Sequence, residues 1–256
     1  MVRISRVDAA AYTIPTEEPE SDGTFRWKAT TLVLATLTAG ETSGIGFSYT
    51  AAGAARVIRE MLAPLLTGGD PLDIPGLHAR MMQEVRNVGR GGLARMAVSA
   101  ADIALWDLKA RLLGLPLAKL LGTARESVPV YGSGGFTSYT VARLQEQFAG
   151  WKRDGIRQMK MKVGRSPGDD PGRIAAAREA IGDDCALFID ANGAFGVQQA
   201  LALARKVEGA HVTWFEEPVS SDDVAGLRLL RHRLEMDVAA GEYAWTPDDF
   251  RRLLEG

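Results

Sequence analysis

The chain has 256 residues, 46 % of them hydrophobic, with 30 basic against 32 acidic side chains and a net charge of −2. That length allows one large domain or two medium ones, and the near-neutral balance favours neither nucleic acid nor an anionic membrane as partner. The single cysteine, Cys185, excludes a disulfide framework, and no window approaches 18 uninterrupted apolar residues. The N-terminus lacks the apolar stretch of a secretory signal, so a reducing cytoplasm is the expected setting and a small molecule the expected partner.

Strand-like runs come first, at Arg3–Tyr12, Thr30–Thr38 and Ser43–Ser48, and they predict an antiparallel meander. The polar stretch Ile14–Lys28 between the first two carries two prolines and a glycine and reads as a mobile loop. Helical periodicity follows over Ala54–Leu66, Ile74–Val88 and Leu93–Leu113. In the last of these, Met96, Ala100, Ile103, Ala104, Leu108 and Leu112 share a stripe, and Gly114 with Pro116 supplies a stop. The glycines Gly89, Gly91 and Gly92 with Arg86 and Arg90 resemble a phosphate cradle only superficially, because no strand precedes them; a loop is the better account.

From Val128 the pattern changes to short apolar runs alternating with amphipathic helices, the grammar of βα units around a parallel sheet. The predicted strands are Val128–Gly132, Gln158–Val163, Ala186–Asp190, Val212–Phe215 and Val238–Ala240. Between them fall helices at Thr140–Arg153, Pro171–Ile181, Val197–Val207 and Asp222–Leu234, the last capped by Ser220 or Ser221, and a further helix covers Pro247–Leu254. The expected architecture is an α+β capping domain over residues 1–125 and the first five units of a TIM-like (β/α) barrel over 126–256. A complete eight-stranded barrel needs about 250 residues, whereas 129 run from Val128 to Gly256, so a truncated barrel is expected.

Polar residues stand at the C-terminal ends of successive predicted strands, the face on which barrel enzymes build their sites. Lys162, Asp190, Glu216 and Glu242 follow one another at intervals of 28, 26 and 26 residues, each about one βα unit. Residues at equivalent strand ends converge on a common axis, and three carboxylates there would repel unless a cation were present. Oxygen ligands select a hard divalent ion, which makes Mg²⁺ the expected cofactor. Lys160 and Lys162, two apart on a strand, point to one side, and burial beside a dication would depress both pKa values enough to make one of them a general base. Such a base facing a cation suits abstraction of the proton next to a carboxylate. The alternative for the lysine pair is an exposed charged edge with Met161 and Val163 buried. Glu217 can replace Glu216 as ligand, and Asn192 either orients a neighbour or caps the turn before Gly193. The histidines His78, His211 and His232 show no ligand spacing.

The ordered runs Lys160-Met161-Lys162, Ile189-Asp190-Ala191-Asn192-Gly193, Trp214-Phe215-Glu216-Glu217-Pro218 and Ala240-Gly241-Glu242 resemble the motif series of the enolase superfamily. Ala100–Lys109 resembles a helix of that superfamily's capping domain. The resemblance implies Asp190, Glu216 and Glu242 as metal ligands, Lys162 as base and Lys160 as its charged neighbour and carboxylate binder. Glutamate at 242 is closer to the mandelate racemase-like branch than to the muconate cycloisomerase-like one. That implies dehydration of an acid sugar or racemisation of a 2-hydroxy acid, with cycloisomerisation as an alternative and a catalytically inactive metal-binding fragment as another. The family's second acid or base would come from strands beyond residue 256. The resemblance also implies an even-numbered homo-oligomer and a capping domain that selects substrate through loops equivalent to Ile14–Lys28 and Gly46–Gly53, with Arg26, Trp27, Lys28 and Tyr49 as candidate contacts.

Overall fold

The computed structural model describes residues 2–89 and 91–255, so Arg90 of the glycine-rich run and the terminal Gly256 lie outside the described residues. The chain divides into two compact units, residues 1–16 with 29–127 and residues 17–28 with 128–256.

The first unit is built on a sheet ordered β1 (Ile4–Ser21), β2 (Arg26–Ala39) and β3 (Thr42–Tyr49), with β2 and β3 antiparallel, and residues 17–28 at the β1–β2 end are counted with the second unit. Alternation along β2 buries Val33, Ala35, Leu37 and Ala39, and these face a helical layer. That layer comprises α1 (Gly53–Val57), α2 (Ala63–Leu66), α3 (Ile74–Glu84), α4 (Gly92–Leu112) and α5 (Leu117–Leu120). The first predicted helix is interrupted by a π-helical turn at Ile58–Leu62, just before Pro64, whose missing N–H cannot continue the α-helical ladder. On α4 the buried face is Ala97, Ala100, Ala101, Ala104, Leu105 and Leu108; Ile103, expected in the stripe, points outward. The alanines let the helix approach β3 so closely that a Cβ on Gly46 would meet Ala100 O and Ala104 N. His78 on α3 pairs with Asp102 on α4 at 2.9 Å.

The expected loop Ile14–Lys28 is instead a hairpin: β1 continues to Ser21, the turn is Asp22–Phe25, and β2 starts at Arg26. β1 is an edge strand, the position in a sheet where prolines such as Pro15 and Pro19 are tolerated. Asp22 closes the turn by accepting the amides of Thr24 at 2.7 Å and Phe25 at 2.6 Å.

The second unit holds a parallel sheet in sequential order: β4 (Gly132–Gly134), β5 (Gln158–Lys162), β6 (Ala186–Asp190), β7 (Val212–Glu216) and β8 (Asp237–Ala239). With its helices α6 (Val141–Arg153), α7 (Asp170–Ile181), α8 (Val197–Lys206), α9 (Val224–Arg233) and α10 (Pro247–Glu255) it forms a partial barrel. Met159, Met161, Leu187, Ile189 and Phe215 pack outward against the helices with essentially no exposure. β4 begins later than predicted; Val128 and Val130 are exposed rather than paired. Asp223, not a serine, caps α9, accepting the Gly226 amide at 2.9 Å. Cys185 is buried and free. Among the described residues no helix is long and apolar enough to cross a membrane.

Candidate active site

Register aligns the polar strand ends. Lys162 pairs with Asp190, Asp190 with Glu216, and Glu216 with Ala239, so three of the predicted site residues form one row on the inner face, and Glu242 follows three residues beyond Ala239. The inner face is not an exposed charged edge: Lys160 is 5 % exposed and Asp190 fully buried, while Met161 and Val163 are buried on the opposite side. One step down the strands, Tyr131, Phe188 and Trp214 form an aromatic floor, with ring centroids 5.8 Å apart for the first pair and 5.2 Å for the second. Lys160 Nζ lies 5.4 Å from the Tyr131 ring centroid. This floor escaped the sequence reading, although the alternation Phe188, Asp190 and Trp214, Glu216 carries it.

The side chains form a continuous hydrogen-bonded cluster. Lys162 Nζ donates to Asp190 Oδ2 at 2.6 Å and to Asn192 Oδ1 at 2.8 Å. Lys160 Nζ donates to Glu216 Oε2 at 2.7 Å and lies 3.3 Å from Asp190 Oδ2. Asn192 Nδ2 donates to Glu242 Oε1 at 2.8 Å, and its own amide donates to Asp190 Oδ1 at 2.9 Å. Asn192 therefore both orients neighbours and makes a turn, with φ at 46°. Glu217 also has positive φ, at 38°, is 1 % exposed, and among the described residues no side chain donates to its carboxylate.

The charge of Lys160 is governed by its carboxylate neighbours. Burial pulls its ammonium down, but the hydrogen bond to Glu216 and the charges of Asp190 and Glu216 outweigh that and raise it. Burial, then the Asp190 charge, holds Glu216 above the usual carboxylate range against the pull of Lys160. Glu217 is pushed up to about 7 by burial, with Glu242, Asp190 and Glu216 adding to it. Tyr243, missed in the sequence, rises to about 12 through burial and the neighbouring Glu242 and Glu217 charges.

The three expected ligands do not close on one point. Among the described residues no group of three or more His, Cys, Asp or Glu side chains is gathered tightly enough to hold a metal ion. Asp190 and Glu216 pair with the ammonium groups that the chain itself supplies, and Glu242 accepts from Asn192. The donor set nonetheless fits a divalent cation. Asp190, Glu216, Glu217 and Glu242 bring four carboxyl groups against the two amines of Lys160 and Lys162, and burial beside the other three already pushes Glu217 up. A cavity of about 500 Å³, within the usual range for a small ligand, opens beside Asn192, Glu217 and Tyr243.

Of the candidate contacts, Trp27 donates Nε1 to Glu20 Oε2 at 2.7 Å and sets its ring edge-on to Phe136 at 5.4 Å. Arg26 and Lys28 are exposed. Tyr49 belongs to the first unit, at the end of β3 opposite Leu32, with its ring exposed. Gly46 and Ser48 lie within β3, so the stretch expected as a loop from Gly46 is strand as far as Tyr49.

Residues 20–122 match the mandelate racemase / muconate lactonizing enzyme N-terminal domain, and residues 143–256 match the enolase C-terminal domain-like family. A mandelate racemase/muconate lactonizing enzyme-like protein from Rubrobacter xylanophilus superposes with a TM-score of 0.96 at 51 % identity, over 98 % of this chain and 71 % of that one. The chain belongs to the mandelate racemase/muconate lactonizing enzyme family of the enolase superfamily. A racemase from Streptomyces coelicolor A3(2), solved with bound magnesium, has a TM-score of 0.94 at 33 % identity, over 98 % of this chain and 72 % of that one. The L-talarate/galactarate dehydratase of Salmonella typhimurium is 37 % identical over 218 residues, 83 % of this chain and 55 % of the relative. The chain thus spans little more than half the length of that curated relative.

Proposed function

We propose that the protein abstracts the proton α to the carboxylate of an acid sugar, with Lys162 as the base, and that loss of the β-hydroxyl completes a dehydration. The observation that carries this reading is the position of Lys162 Nζ, at the end of β5 between Asp190 and Asn192. Asn192 Oδ1 directs the amine, and the α-proton is taken onto Nζ. Lys160, which the surrounding carboxylates keep charged, binds the substrate carboxylate from the aromatic floor. Asp190, Glu216 and Glu242 would hold Mg²⁺, whose charge would offset the negative charge that develops next to the substrate carboxylate. The similarity to a talarate/galactarate dehydratase supports an acid sugar as substrate. Racemisation or epimerisation, in which the proton returns to the same carbon, is the second reading, favoured by the similarity to a racemase.

The test is deuterium incorporation at the α-carbon of galactarate, talarate and 2-hydroxy acids in D₂O, with and without Mg²⁺. The reading requires Mg²⁺-dependent exchange that Lys162→Ala abolishes, and accumulation of a dehydrated product separates dehydration from racemisation. Stabilisation by Mg²⁺ without any exchange would leave a chain that holds the metal and does not turn over.

A further inference from the structure

The end of β5 departs from a regular ladder. Lys162 N–H donates to Gly135 O at 3.1 Å, and in a parallel pair the Lys162 carbonyl would then receive the amide of Thr137. That amide is taken elsewhere, donating to Ser21 O on the hairpin at 2.7 Å. A side chain fills the place it leaves. Arg173 on α7 donates Nη1 to Lys162 O at 3.2 Å, and Nη2 to Phe136 O at 2.8 Å and Gly135 O at 3.2 Å. Asp170, three residues earlier on the same helix, accepts the Gly164 amide at 2.9 Å, and its other oxygen is 3.9 Å from Arg173 Nη1.

Both side chains are buried, at 8 % and 1 % exposure, on a helix face otherwise made of Ile174, Ala177 and Ile181. Arg173 Nε and Asp170 Oδ1 have no hydrogen-bond partner among the described residues. A buried, incompletely satisfied ion pair is a poor stabiliser beside apolar residues of the same volume, so stability alone does not account for it. Its contacts do: together the pair grips the peptides on both sides of Val163.

We propose that Arg173 and Asp170 form a positioning pair that fixes the end of β5 and so aims the Lys162 amine between Asp190 and Asn192. The catalytic purpose of the pair rests on the reading of Lys162 as the base. Arg173→Met in the full chain tests it through two readouts. Amide hydrogen exchange at Val163 and Gly164 should accelerate about tenfold, the scale of one charge-assisted hydrogen bond, while residues 174–181 and 186–189 keep their protection. Substrate α-deuterium exchange should lose about tenfold in kcat with KM changed by less than about twofold, as expected when the base is misaimed and binding is spared. Arg173→Lys keeps the charge but reaches fewer carbonyls, and should show the same local pattern to a smaller extent; it decides the matter if the methionine variant does not fold. Unchanged exchange at Val163 and Gly164, or acceleration spread evenly over the second unit, overturns the proposal. If Lys162→Ala retained substrate exchange, the base reading would fail by itself, because the amide readout does not depend on it.

Discussion

Replacing Lys160 by methionine isolates the charge balance of the site. Methionine keeps most of the volume and removes the ammonium that lies 2.7 Å from Glu216 and 3.3 Å from Asp190. Asp190 is fully buried and Glu216 nearly so, and breaking a buried pair from one side costs about 3–5 kcal/mol because the remaining charge is left uncompensated. At about 2–4 °C per kcal/mol for a chain of this size, the melting temperature at pH 7.5 should fall by about 6–20 °C. The dependence on pH has a definite sign. Lys160 holds Glu216 down, so its removal raises the folded-state Glu216 pKa further above the unfolded value. A carboxyl whose folded pKa is raised favours folding at low pH and loses that contribution as pH rises, so the deficit should shrink on acidification. Adding Glu216→Gln should recover part of the loss, and calorimetry of the four proteins in this cycle gives the coupling. A deficit below about 1 kcal/mol at pH 7.5, or strict additivity of the two substitutions, would refute the compensating role of Lys160.

Two further outcomes test other parts of the structure. Burial holds Glu217 at about 7 in place of the ordinary 4.5, so its contribution favours folding below pH 4.5 and is lost as pH rises to about 7. Glu217→Gln should therefore melt higher than the parent at pH 8 and equally at pH 4, and equal melting at both would contradict the assigned burial cost. In the first unit, Gly46→Ala puts a Cβ against the backbone of α4 at Ala100 and Ala104. Overpacking of this kind costs about 1–3 kcal/mol, and thermal melts that leave the variant unchanged would exclude the close helix-to-strand approach.

What was legible in the sequence is what repeats. The strand-end row of Lys162, Asp190 and Glu216 is visible because a βα unit has a nearly constant length and side chains alternate along strands, and the register aligns those residues as the spacing implies. What was not legible depends on distant neighbours. Pro15 and Pro19 look like loop breakers until β1 is known to be an edge strand. Val128 and Val130 have strand composition but no partner. Arg173 sits among apolar residues at helical spacing, and its partners are backbone carbonyls of residues 135, 136 and 162 that no side-chain pattern reveals. The carboxylate that each lysine pairs with, Glu216 for Lys160 and Asp190 for Lys162, is set by side-chain directions across neighbouring strands that spacing alone does not give.

The strained residues point the same way as the charges. Asn192 and Glu217 each follow closely on a strand-end carboxylate, Asp190 or Glu216, and each adopts a positive φ that a non-glycine residue takes at a cost of about 1–3 kcal/mol. The two turns are tied together by Gly193 N–H donating to Glu217 O at 2.8 Å. Regular alternation would send Glu217 to the helix side, away from Glu216; the left-handed turn instead leaves it where Glu242, Asp190 and Glu216 all raise its pKa. Strain and charge repulsion at one place both oppose folding, and burial keeps the Glu217 carboxyl up at about 7 in spite of the backbone hydrogen bond from Gly241. An arrangement that gathers carboxyl groups at the strand ends against both costs fits the proposed role of this end of the sheet as the place where a cation would be held.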